Sequence, residues 1–257
     1  VLVRLHGGNP DYDHLVDING LGELKKIYMD SHGNIYIGTL ATCSEIISHE
    51  LIRQHLPMVV QSLETIGGPQ VRNAATMGGN ICNGAVSADS ACAALIYEMD
   101  LLIRNSRGER VQSINGFHTG PGRTVLKQGD LFTFFRIRPE QYRNMGASYC
   151  KYAMRGAMDI ATIGCGVGLK MKDGLISTLK LAFTVAAPTP IRTPHAEEAA
   201  LGKPLNRETL DLVAESLEED VRPRDSWRAG KAFRLHIIRT LAKRVIRQAA
   251  ENLGGTS

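Results

Sequence analysis

The pattern of apolar and polar positions changes character along the chain. Short alternating runs open it: V-L-V-R-L at Val1 to Leu5, H-L-V-D-I at His14 to Ile18 and N-I-Y-I-G at Asn34 to Gly38 predict short strands, the last entered through a His32-Gly33 turn. Apolar residues then recur at helical spacing over Ala41 to His49, Leu51 to Thr65 and Ala88 to Met99, with Pro57 placed to start or kink the second helix. Leu101 to Arg104 and Arg110 to Ser113 predict a hairpin around Ser106-Arg107-Gly108, and Leu131 to Ile137 a strand closed by Pro139. From Met145 the pattern shifts to longer strands at Ser148 to Met154, Ile163 to Met171 and Leu175 to Ala186, the last two joined by the turn Lys172-Asp173-Gly174. Helices follow near Pro194 to Leu201, Arg207 to Glu219 and Trp227 to Asn252, the last carrying Ile238, Leu241 and Val245 on an apolar face. Pattern and order are mixed α and β.

One stretch fits neither period. Thr65 to Asp89 holds two glycine pairs, Gly67-Gly68 and Gly78-Gly79, around Arg72, Asn73 and Thr76, and a polar run with almost no bulky side chain follows. Such a stretch is poor core material. Glycine serves where the backbone takes positive φ or approaches something closely, and Thr76, Asn80, Asn83, Ser87 and Asp89 add short hydrogen-bonding side chains. Consecutive N–H groups in a glycine turn form a concave anion site, which points to a phosphate or pyrophosphate guest. A single Gly-Gly reads as a tight surface turn; two pairs with a polar set between them favour a ligand. Asp89 and Ser90 begin the next helix, whose start reinforces an anion site. Asp89 itself would repel phosphate, so a sugar hydroxyl is its expected partner.

Two further glycine runs carry less. G-C-G-V-G at Gly164 to Gly168 lacks the third glycine of a dinucleotide fingerprint at the required offset, and reads as a strand whose backbone is closely approached. Gly116 to Arg123 is a glycine and proline loop, either a connector or a flap near a cofactor or subunit contact. His118 within it is a minor candidate for a base.

Composition narrows the classes. With 257 residues the chain can hold one large domain or two modest ones. A formal charge of +4 spread over 30 basic and 26 acidic residues, with 5% aromatics, does not point to nucleic acid. No apolar run reaches the roughly 20 residues that cross a bilayer and no secretory leader opens the chain, so a soluble, cytoplasmic protein is expected. The five cysteines, Cys43, Cys82, Cys92, Cys150 and Cys165, have no C-x-x-C spacing and offer no zinc or iron-sulfur set; no metal site is expected.

I-G-G-P-Q-V-R-N-A-A-T-M-G-G-N-I-C-N-G at Ile66 to Gly84, followed by A-D-S at Ala88 to Ser90, resembles the second flavin-binding segment of the FAD subunits of molybdenum hydroxylases. The resemblance extends over most of the chain, through I-N-G-F-H-T-G-P-G-R at Ile114 to Arg123, K-Y-A-M-R-x-A-M-D-I-A at Lys151 to Ala161 and A-A-P-T-P-I-R at Ala186 to Arg192. The last two blocks are most similar to bacterial xanthine dehydrogenase FAD subunits.

The resemblance implies an α+β, two-domain FAD-binding fold (PCMH-like), with an FAD-binding domain over 1–144 and a small three-stranded, helix-backed domain over 145–257. It implies an FAD site that includes Ile66, Gly67, Ala75, Thr76, Met77 and Gly78. Gly79, Asn80, Cys82, Asn83 and Asp89 complete the glycine segment's share, and Leu131, Phe132 and Lys151 are added from further along. Thr76 to Asn80 would hold the pyrophosphate through backbone N–H groups, and Asp89 a sugar or ribityl hydroxyl. No side chain of this chain is expected to be catalytic. The implied partners are a molybdopterin-binding subunit and a two-iron iron-sulfur subunit, with NAD as electron acceptor. A first flavin loop of the type A-G-G-T-D is expected just before Val1 and does not stand in the sequence, which begins without methionine; the chain as written is expected to bind FAD weakly or not at all, with the Val1 to Leu5 edge open. Three other readings stay open: an aldehyde or carbon monoxide dehydrogenase subunit, a flavin-free assembly module, and a P-loop hydrolase, the last weakened because no G-K-[ST] follows either glycine pair.

Overall fold

A computed structural model of the chain describes Gly7 and residues 14–254. The strand expected at Val1 to Leu5 lies outside the described residues. His14 to Ile18 is irregular where a strand is predicted, with His14 to Asp17 exposed (Val16 at 85%) and Ile18 half-buried.

The first half runs β1 (Ile27–Met29), β2 (Ile35–Gly38), α1 (Cys43–Ser48), α2 (Glu50–His55), α3 (Pro57–Glu64), α4 (Pro69–Arg72), α5 (Met77–Cys82), α6 (Asp89–Ile96), β3 (Asp100–Asn105), β4 (Gly108–Ser113), β5 (His118–Gly120), β6 (Arg123–Thr124) and β7 (Leu131–Ile137). Among the described residues, five strands form one antiparallel sheet in the order β1-β2-β7-β3-β4, and β5 pairs with β6 as a separate ribbon. The helical region begins with a capping box, in which Thr42 Oγ1 accepts from the Glu45 N–H and the Glu45 carboxylate accepts from the Thr42 N–H. The long helix expected over Leu51 to Thr65 is two helices. Leu56 leaves the helical region and Pro57, which has no N–H to give, opens α3. Ile35, Ile37, Met58, Leu63, Ile96 and Phe135 meet in the core of this half.

The second half contains β8 (Gly146–Tyr152), β9 (Ile163–Lys172), β10 (Leu175–Thr184), β11 (Ile191–Arg192), α7 (Pro194–Ala200), α8 (Arg207–Asp220) and α9 (Lys231–Glu251). The three expected strands are joined by the two-residue β11, so this sheet has four antiparallel strands in the order β11-β10-β9-β8. Asp173 and Gly174 both take positive φ, +51° and +78°, as a two-residue hairpin turn requires. Cys165, Val167 and Leu169 of β9 face a core shared with Leu217, Ile238 and Val245. Of the intervening glycines, Gly164 lies against Tyr149 and Thr184, whereas Gly166 and Gly168 face the first half, where a Cβ on Gly166 would lie 2.3 Å from Met58 Cε and one on Gly168 2.8 Å from Ile96 Cγ2. The close approach read from G-C-G-V-G is therefore the contact between the halves.

Ion pairs seal the same boundary. Lys180 of β10 and Arg192 of β11 both bind Glu98, at 2.7 and 3.2 Å, and Arg192 reaches on to Glu197 of α7. Burial pushes the Glu98 carboxyl up, but Lys180 and Arg192 outweigh it and hold the group below the usual range.

Candidate functional site

The second glycine pair opens a helix. Thr76 is the N-cap of α5, its Oγ1 accepting from the Gly79 N–H at 2.9 Å, and the Asn80 N–H donates to the Thr76 carbonyl at 3.0 Å. The Gly78 N–H has no partner among the described residues. Gly78 is buried against the end of β2, where an added Cβ would fall 1.9 Å from Thr39 Oγ1 and 2.6 Å from the Thr39 carbonyl oxygen. Thr39 cannot yield easily, because its N–H donates to the Thr133 carbonyl of β7. Gly79 is exposed, and a Cβ there would meet only Thr76 Oγ1, at 3.0 Å. Asn80 Oδ1 accepts from Ser90 Oγ at 2.6 Å, joining α5 to the start of α6.

His118 supports the far end of α5. Its Nε2 lies 3.0 Å from the Ile81 carbonyl and so carries the ring proton as donor, while burial pushes its pKa down. The expected loop is thus a β5–β6 ribbon fixed to α5, and His118 has a structural partner that a free base would not have.

The first glycine pair is a turn. Gly67 has φ +51°, and Arg72 Nη1 donates to the carbonyls of Glu64, Ile66 and Gly67 at 3.0 to 3.2 Å, satisfying the C-terminal end of α3 and tying the turn to α4. A cavity of about 720 Å³ opens beside it, lined on one side by Thr65, Gly67, Gly68 and Arg72 and on the other by Lys151 to Asp159. That volume is in the range of ligand pockets.

Between the cavity and α6 lies a buried polar cluster. Lys151 Nζ donates to Asp89 Oδ2 at 2.9 Å and to the Thr65 carbonyl at 3.0 Å, and Tyr149 Oη donates to Asp89 Oδ1 at 2.7 Å. Burial pushes the Asp89 carboxyl up, while Lys151 and Tyr149 pull it back toward the ionised form.

The structure brings part of the expected set together. Gly67 and Lys151 line the cavity, with Asp89 behind Lys151, and Asn80 is one hydrogen bond from α6. Ile66, Ala75 and Cys82 are half-buried against the core of the first half; Cys82 has its thiol pushed up to about 11 by burial. Met77 is fully buried, so only its backbone can reach a ligand, and Asn83 is exposed. Leu131 is half-buried at the start of β7, against which α5 packs. Phe132 points into the core, edge-on to Phe135 at 4.7 Å. The Gly79 and Asn80 N–H groups, expected to face a pyrophosphate, are engaged by Thr76, so that among the described residues the N–H groups of Thr76, Met77 and Gly78 are the unpartnered donors of that turn. Tyr149, Gln61 and the Ala153 to Asp159 loop were not singled out by the sequence. The K-Y-A-M-R block holds the signal for the loop; nothing local marks the other two.

Comparison with known proteins decides what this arrangement belongs to. A family model described as the FAD binding domain in molybdopterin dehydrogenase matches residues 1–139, and one described as the CO dehydrogenase flavoprotein C-terminal domain matches residues 148–249. The chain belongs to the FAD-binding subunits of the molybdenum hydroxylases. Within this family, the xanthine dehydrogenase FAD-binding subunit of Escherichia coli O157:H7 is 48% identical over 255 residues, covering 99% of this chain and 87% of that one. The carbon monoxide dehydrogenase medium chain of Hydrogenophaga pseudoflava is 26% identical over 248 residues, 96% of this chain and 85% of its own. A solved structure of carbon monoxide dehydrogenase from Hydrogenophaga pseudoflava superposes with a TM-score of 0.88 at 27% identity, over 93% of this chain and 82% of the other. FAD is therefore the cofactor of this subunit. The residues present fit it: an exposed glycine at a helix start, a cavity large enough for a ring system, and a buried carboxylate and ammonium beside that cavity.

Proposed function

We propose that this subunit serves a xanthine dehydrogenase, receiving electrons from two-iron clusters on one partner chain after substrate is oxidised on a molybdopterin-binding partner. FAD, when bound, supplies the step from cluster electrons to hydride transfer, with NAD as acceptor. The observation that carries the reading is the contrast in identity: 48% along nearly the whole chain with a xanthine dehydrogenase subunit, 26% with a carbon monoxide dehydrogenase chain. The reading includes a cytoplasmic location. None of the described helices is long and apolar enough to cross a membrane. It divides the chain near residue 145 into an FAD-binding domain over 1–144 and a C-terminal domain over 145–257, a division supported by the two matched segments.

Within the site, the turn at Thr76 to Asn80 takes the pyrophosphate, with Gly78 as donor and Gly79 leaving room for the phosphate oxygens. Asp89 accepts from a sugar or ribityl hydroxyl, and Asn80 and Asn83 line the same pocket. Lys151 favours the ionised form of Asp89 against the upward push of burial, and it faces the cavity. Ile66, Gly67, Ala75, Cys82 and Leu131 complete the walls, Met77 contributes its backbone, and Phe132 supports β7 from behind. The chain's own task is to bind, orient and shield the cofactor; no side chain need move a proton.

The test is the purified complex, assayed for NADH formation with xanthine, an aldehyde and carbon monoxide in turn. Flavin absorption bands and xanthine-dependent NADH are the expected result. Turnover of aldehyde or carbon monoxide without xanthine would overturn the substrate assignment, and reduction of an artificial dye without NAD would overturn the acceptor.

A further inference from the structure

The two faces of β8 do different work. Tyr149 and Lys151, two residues apart, lie on one face and both reach Asp89, while Cys150 between them packs against the core of the second half. Tyr149 is fixed at two points, since its backbone N–H also donates to Gln61 Oε1 of α3 at 2.8 Å. Its ring is buried, with 7% of the residue exposed. Phenylalanine would fill that volume equally well, and a buried hydroxyl is costly unless it is hydrogen-bonded. The only hydrogen-bond partner of this hydroxyl among the described residues is Asp89. Lys151 holds one carboxylate oxygen and Tyr149 the other, and each oxygen keeps a lone pair for a further donor.

We propose that Tyr149 is a positioning residue of the flavin site, which fixes the plane of the Asp89 carboxylate so that its remaining lone pairs meet a hydroxyl of the bound cofactor. The inference rests on the reading of Asp89 as a hydroxyl acceptor. The titratable groups facing Asp89 among the described residues are Lys151 and Tyr149 from β8 and Cys92 within α6, whose thiol is pushed far up by burial and stays neutral. Tyr149 thus supplies the one neutral donor that favours the ionised carboxylate. Without its hydroxyl the Asp89 pKa rises further, and the acid limb of cofactor binding moves toward neutrality. A hydrogen bond to a charged group corresponds to a shift of about one to two pH units.

The experiment titrates FAD into the chain from pH 5 to 9, for the wild type, Tyr149→Phe, Asp89→Asn and the double variant. Wild-type affinity is expected to fall on the acid side, Tyr149→Phe to move that limb up by about one to two pH units, and Asp89→Asn to flatten it with or without Tyr149. An unmoved limb in Tyr149→Phe, or a loss of equal factor at every pH, would overturn the proposal. So would a Tyr149→Phe effect that persists in the Asp89→Asn background. A second readout needs no cofactor: the thermal-stability deficit of flavin-free Tyr149→Phe should be largest at neutral pH and shrink as Asp89 is protonated, and a pH-independent deficit counts against the role. An Asp89→Asn chain with wild-type FAD affinity at every pH would instead remove the hydroxyl-acceptor reading itself, and this inference with it.

Discussion

Gly67-Gly68 and Gly78-Gly79 are the same dipeptide in one short stretch, and the fold uses them for different reasons. In the first pair the need is conformational: Gly67 sits at φ +51° beside Val71, and three hydrogen bonds from Arg72 hold the turn at the rim of the cavity. In the second pair the need is space, shared between two neighbours. Gly78 gives its missing side chain to the protein, letting α5 touch the backbone of Thr39, whereas Gly79 gives its own to solvent or to a ligand. A glycine motif is therefore not one unit of function, because adjacent members can serve packing and binding separately.

Substitutions can break this contrast in order of severity. Gly78→Ala should cost about 3 kcal/mol, since the new methyl meets backbone pinned between β2 and β7; an unchanged urea midpoint would show that the contact relaxes. Gly79→Val should leave the fold within about 1 kcal/mol of wild type, as valine is no worse than glycine in a helix. Its FAD affinity should fall about 100-fold, near 2.7 kcal/mol, and full flavin content after gel filtration would refute a binding role for Gly79. Arg72→Ala should loosen the first pair for about 1.5 kcal/mol, raising amide exchange at Ile66 to Gly68 while leaving the hydrogen-bonded Gly79 and Asn80 protected. Equal exchange in the two segments would mean that they are not independent.

The smallest effect is a pH dependence of the second pair's support. Burial holds the His118 pKa below its ordinary 6.5, so beneath that value the unfolded chain binds a proton that the folded one refuses. The His118 contribution to stability should therefore decline as pH falls below 6.5, by at most about 1.4 kcal/mol per pH unit, until the folded pKa is passed. The stability of the wild type minus that of His118→Gln should shrink on acidification; parallel curves would exclude this coupling.

Much of the fold was legible because its signals are local. The β3–β4 hairpin, the Leu131 to Ile137 strand, the turn at Asp173-Gly174 and the helix starts at Pro57 and Pro194 follow from residues whose backbone preferences leave few options. Elements with weak local signals were not. β1 has three residues and is an edge strand supported by a stack of Tyr28 on Tyr36 at 4.8 Å, too short to show alternation. β11 has two residues, held by pairing with Ala182 and Phe183. In the site, glycine and polar density marked the segment, but the division of labour between Gly78 and Gly79 depends on Thr39, and the surroundings of Asp89 depend on residues 60 and 62 positions away. Charge alone suggested what Asp89 would avoid. Only the folded chain names what it touches.

The glycine stripe on β9 also sets a timetable. Met58 and Ile96 fit into the spaces at Gly166 and Gly168, yet they are synthesised well before those glycines. During translation α3 and α6 are thus expected to wait, apolar side chains uncovered, until the β8–β9 hairpin has left the ribosome, a period of exposure that invites chaperone capture. Ribosome-stalled chains ending before Ile163 should be cut readily by protease within α3 and α6, and chains extending well past Thr184 should resist; equal resistance in both would mean that the first half completes its packing alone.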